Sequence, residues 1–62
     1  MDREYDLFEV FPDSSLIWRQ SVTGHENAIR RLRELVELSD NEFRLMHVST
    51  KTLIASLKKG KP

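Results

Sequence analysis

Thr23-Gly-His-Glu-Asn-Ala-Ile-Arg-Arg-Leu-Arg-Glu-Leu-Val-Glu-Leu38 is the stretch that decides the fold. Ala28, Ile29, Leu32, Leu35 and Val36 recur three and four residues apart, which on a helix gives one apolar stripe. The other side carries Glu26, Arg30, Arg31, Arg33, Glu34 and Glu37. Glu26–Arg30, Arg30–Glu34 and Arg33–Glu37 are four apart, a spacing at which each ion pair contributes about 0.2–0.5 kcal/mol. Thr23 and Glu26 have the spacing of a capping box, in which hydroxyl and carboxylate each satisfy the other residue's backbone N–H. One helix is therefore predicted over about Gly24 to Leu38. Ser39-Asp-Asn41 ends it, with Asn41 suited to the left-handed conformation of a helix stop.

Upstream, Tyr5-Asp-Leu-Phe-Glu-Val-Phe11 is rich in aromatic and branched residues and reads as a strand. Apolar groups occur on both of its faces, Tyr5, Leu7 and Phe11 on one and Phe8 and Val10 on the other, so alternation does not choose the buried side. Pro12-Asp-Ser-Ser15 is a turn, because proline presets the first corner and Asp and Ser bond their own backbone two residues on. Leu16 to Val22 alternates more clearly, and Leu16, Trp18, Gln20 and Val22 are expected to face the helix, Ile17, Arg19 and Ser21 solvent. Trp18 is thereby expected in the core. Downstream, Glu42 to Val48 returns to strand character, and Ser49-Thr-Lys-Thr52 is a turn. Leu53 to Leu57 reads as an edge strand, with a short helix as the alternative. Met1 to Glu4 are expected to fray, and Lys58 to Pro62 form a basic tail with nothing to bury.

Connection rules then set the topology. The turn at Pro12 places the first two strands side by side, and a right-handed crossover through the helix makes the third parallel to the second. Inserting the first strand between them gives an α+β fold of ββαβ(β) type. Its antiparallel sheet has three or four strands in the order 2-1-3-4, with the helix on one face. Residues 1–57 form the domain. The other face stays open, and a large apolar patch there points to a partner.

Composition narrows the function classes. A chain of 62 residues makes one domain, and a core of that size supplies only about 3–5 kcal/mol. With no cysteine, neither a disulfide nor a thiolate metal ligand is possible. The absence of a signal-like apolar segment and of any long apolar run makes the cytoplasm the expected location, with no membrane partner. Net charge is zero but segregated. Residues 1–13 hold five acids against one base, and residues 14–62 nine bases against five acids.

No constellation has the spacing of a catalytic, metal or cofactor site. His25 and His47, the only imidazoles, have no second ligand three or four residues away. The serines and threonines lack a glycine-flanked elbow, and Gly24 and Gly60 cannot build a phosphate-cradling loop. No enzyme activity, metal or cofactor is expected. Arg30, Arg31 and Arg33, with Lys58, Lys59 and Lys61, form the one basic group, and an exposed Tyr5, Trp18 or Phe43 offers a stacking surface for bases. Interleaved glutamates and a pI near 6.7 make nucleic acid the second reading. The first is a protein-interaction module acting by self-association or docking, through the open sheet face or an edge strand. Its candidate surface is Tyr5, Leu7, Ile17, Phe43 and Met46.

The pattern Tyr5-Asp-Leu-Phe8, Pro12-Asp, Trp18-Arg, Val22, Gly24-x-Glu-Asn-Ala28 and Asn41-Glu-Phe43 resembles a group of short bacterial proteins of uncharacterised function. The likeness covers about residues 5 to 50 and rests on framework positions. It implies a small full-length domain and brings no activity, ligand or functional residue.

Overall fold

The computed structural model describes residues 3–60. Strands β1 (Glu4–Val10) and β2 (Leu16–Thr23) precede helix α1 (His25–Leu38), and β3 (Glu42–His47) and β4 (Thr52–Leu57) follow it. The strands form one sheet in the order β2-β1-β3-β4, every neighbouring pair antiparallel. This is the α+β architecture and strand order expected from the sequence, and the last apolar run is a strand. The chain is tied down earlier than expected. Glu4 already belongs to β1, and the Arg3 and Glu4 carbonyls accept from the Gly24 and Val48 N–H groups at 2.8 and 3.1 Å. Met1 and Asp2, and at the other end Lys61 and Pro62, lie outside the described residues.

Helix α1 lays Ala28, Leu32 and Val36 against Tyr5 and Leu7 of β1 and Phe43 and Leu45 of β3, all buried. Val22, Ile29, Leu35 and Ala55 close the edges of this core. The helix thus settles what alternation left open: Tyr5, Leu7 and Glu9 are the covered side of β1, and Asp6, Phe8 and Val10 the open side.

Strand β2 does not follow its alternation. Leu7 stands opposite Gln20 and Phe8 opposite Trp18, so Arg19 is an extra residue, a β-bulge. Because the side-chain period is two, one inserted residue exchanges faces for everything beyond it. Gln20 and Val22 stay on the helix side, as expected, but Trp18 and Leu16 cross to the open face, opposite Phe8 and Val10, while Ile17 turns to the helix side opposite Glu9. Trp18 is 55 % and Leu16 51 % exposed, which corrects their assignment to the core. A second bulge in β4 leaves Ile54 as the extra residue, with Leu45 opposite Ala55 and Met46 opposite Leu53.

The helix ends also differ from expectation. Thr23 is the last residue of β2, its backbone committed to the sheet, and no side chain caps the helix. The N-cap is Gly24 at φ 91, ψ 135, a conformation open to glycine and strained for other residues. Asn27 replaces the capping box, its side-chain amide donating to the Thr23 carbonyl at 3.2 Å. At the other end Ser39 is the C-cap in an extended conformation, and Asn41 is not among the positive-φ residues. The Pro12 turn forms as expected, closed by Ser14 N–H to the Phe11 carbonyl at 2.8 Å with Ser14 left-handed at φ 74. The Ser15 hydroxyl and then its N–H donate to Asp13 and hold that carboxyl below its usual range.

Candidate functional site

Three open-face rows cross the sheet, and their composition follows from the register. Ser21, Asp6, Met46 and Leu53 make the first, Trp18, Phe8, Arg44 and Ser56 the second, and Leu16, Val10 and Glu42 the third. The apolar members fall into two groups. Leu16, Val10, Phe8 and Trp18 occupy neighbouring positions on β1 and β2, and Met46 and Leu53 face each other across β3 and β4. Leu53 is 52 % exposed. Between Phe8, Met46 and the β3–β4 turn lies a depression of about 230 Å³, lined also by Asp6, His47, Val48 and Lys51.

The polar side chains among these rows bond to one another. Asp6 accepts from the Trp18 indole N–H at 3.2 Å and from the Ser21 hydroxyl at 2.7 Å, which orients the exposed ring. Glu42 accepts from Arg44 Nε and from the Ser56 hydroxyl, both at 2.9 Å. The Arg44 hydrogen bond, then that of Ser56, hold the Glu42 carboxyl below its ordinary range.

On the helix side the notable group is Glu9, a carboxylate only 5 % exposed. Its Oε2 accepts from the Ser39 hydroxyl at 3.0 Å and from Asn41 Nδ2 at 2.8 Å, and its Oε1 meets Arg19 Nε at 3.3 Å. The bulge that turns Trp18 outward therefore also supplies the cation for the buried acid. Every acceptor contact is matched, as buried charge requires, and the cluster pins the α1–β3 connection to β1.

The five residues proposed from sequence for an interaction surface are not brought together. Tyr5, Leu7 and Phe43 are buried beneath the helix, because the helix stripe selects their side of β1 and β3. Ile17 is exposed but on the helix side, and Met46 alone lies on the open face. Phe8, Val10, Leu16, Trp18 and Leu53 were missed. The one signal for them is Leu16-Ile-Trp18, three consecutive apolar residues that no regular alternation can place on a single side.

The basic group proposed from sequence lies apart from the open-face aromatics, whose only basic neighbour along the row is Arg44. Arg30, Arg31 and Arg33 lie on the helix, behind the sheet from Trp18 and Phe8. Arg30 is bonded to Asn27, and Arg31 to Glu34 and Gln20, each at 3.0 Å. The Glu26–Arg30, Arg30–Glu34 and Arg33–Glu37 pairs expected along the helix are not made. Lys58 and Lys59 follow β4, and Lys61 lies outside the described residues. The Tyr5 ring is flanked by His25 and His47, with centroids 5.8 and 5.3 Å away, and His47 Nδ1 lies 2.9 Å from the Thr50 hydroxyl. Among the described residues no three His, Cys, Asp or Glu side chains gather into a metal-binding group, and no helix is long and apolar enough to cross a membrane. No protein-family model, curated protein or solved structure matches the chain.

Proposed function

We propose that the chain is a small interaction module that docks a protein through the open face of its sheet and performs no chemistry of its own. The observation that carries this reading is that exposed Leu16 and Trp18 adjoin half-buried Phe8 and Val10 on the side the helix does not reach. An apolar surface rimmed by polar groups favours a protein partner, because burying it releases water without stranding charge. Trp18 has the features of an interface anchor: a large ring, half exposed, held in one orientation by Asp6. The nucleic-acid reading is disfavoured by the separation of Arg30, Arg31 and Arg33 from Trp18 and Phe8, by the pairing of the open-face Arg44 with Glu42, and by Asp6, which would repel phosphate.

The test is a photo-crosslinking residue introduced in cells at Leu53 on the open face or at Arg33 on the helix. The reading expects a discrete protein adduct from Leu53 that Trp18→Thr abolishes, and none from Arg33. Equal adducts from both positions, or none from Leu53, would overturn it.

A further inference from the structure

Resting on that reading, we infer that the protein docked on the open face is a second copy of this chain. Two sheets would stack face to face in a twofold dimer with layers α-β-β-α, the helices outermost. Three observations point to a second copy.

The first is that the face brings its own hydrogen-bond partners. Asp6 is bonded to Trp18 and Ser21, and Glu42 to Arg44 and Ser56, so drying the face leaves these carboxylates paired. Their two negative charges are set against Arg44 on the face and Lys51 and Lys58 at its margin. Two such faces therefore do not repel strongly, whereas a strongly charged partner gains no net attraction.

Size is the second. Four strands about 4.8 Å apart and six to eight residues long at about 3.3 Å each give a footprint of roughly 400 Å². Allowing for the relief of the side chains, two such faces bury on the order of 1,000 Å², the lower limit for a specific interface. A second copy meets that limit exactly where a 62-residue chain with a seven-residue buried apolar core benefits most.

The third concerns the edges. Antiparallel self-pairing of β4 about its centre puts Lys51 opposite the second copy's Lys58 at both ends, a like-charge clash. Self-pairing of β2 is interrupted by the Arg19 bulge. Self-pairing at either edge is thus opposed, which favours the face as the route to a twofold dimer.

Sedimentation velocity from about 5 µM to about 500 µM covers the affinity range expected of so small an interface. The expected result is a monomer–dimer equilibrium in which iodide quenching of Trp18, the only tryptophan, falls as dimer forms. Trp18→Thr and Leu53→Thr should each weaken dimerisation at least ~30-fold with unchanged circular dichroism, as loss of an interface anchor does. Arg33→Thr on the helix should leave it unaltered. A monomer throughout the range overturns the second copy, and an adduct still formed at Leu53 would then leave the docking reading standing. A dimer indifferent to Trp18→Thr and Leu53→Thr overturns the inference and the open-face reading together.

Discussion

Glu9 offers the most demanding test of how this fold is held together. Among the described residues it is the one buried charged side chain, and its three donors come from two places: Ser39 and Asn41 from the end of the helix, and Arg19 from the bulge in β2. Glu9→Ala removes two charge-assisted hydrogen bonds worth about 1.5 kcal/mol each. The Arg19 pair adds at most about 0.5 kcal/mol, because the arginine side chain is half exposed and screened. The expected loss is thus roughly 3 kcal/mol, out of a total of about 3–9 kcal/mol for a chain this long. For a domain of this size that corresponds to a fall in Tm of about 12–24 °C. Glu9→Gln keeps the shape and one acceptor oxygen but turns an amide toward Arg19, so about half the loss is expected. Urea unfolding followed by circular dichroism supplies the numbers, and a double-mutant cycle with Asn41→Ala isolates the coupling. A coupling energy of about 1 kcal/mol or more is expected. A Glu9→Ala loss below about 1 kcal/mol, or a coupling near zero, would refute the view that this carboxylate fastens the helix end to the sheet.

Other predictions follow from the helix start and the open face. Gly24→Ala should cost about 1–3 kcal/mol by thermal unfolding, because at φ 91 the new Cβ has room, its nearest neighbour being Asn27 Nδ2 at 3.5 Å, but the backbone is strained. Thr23→Ala should cost less than about 0.5 kcal/mol, since its hydroxyl caps nothing; a loss of 1 kcal/mol or more, typical of an N-cap, would restore the capping box. The folded-state pKa of Glu42 is lowered, so its contribution to stability is present above its unfolded value and lost as pH falls through the folded one. The stability difference between wild type and Glu42→Gln should therefore be largest near neutrality and shrink on acidification. Denaturant midpoints measured along a pH series would show it, and a difference that grows toward acid pH would contradict the Arg44–Glu42–Ser56 arrangement.

Local patterns in the sequence determined the elements and their order. The stripe Ala28, Ile29, Leu32, Leu35 and Val36 needs only the helical period to be recognised, and Pro12-Asp-Ser-Ser15 only the local chemistry of a turn. Chain connectivity then leaves little choice but 2-1-3-4. Which face each strand presents was decided by the tertiary structure. Tyr5-Asp-Leu-Phe-Glu-Val has apolar groups on both sides, and only packing against the helix selects Tyr5 and Leu7. Trp18 is the sharper case. Its outward position depends on one extra residue, Arg19, whose insertion is stabilised by contact with Glu9, ten positions earlier in the chain. A bulge is a mismatch between two strands, so neither strand alone contains it. The helix start shows the same limit, because Thr23 has the right neighbours for a cap but is held in β2 by its pairing with Glu4. Periods and turns are properties of neighbouring residues. The covered and open faces, and with them the candidate interface, are properties of pairs that meet only when the chain has folded.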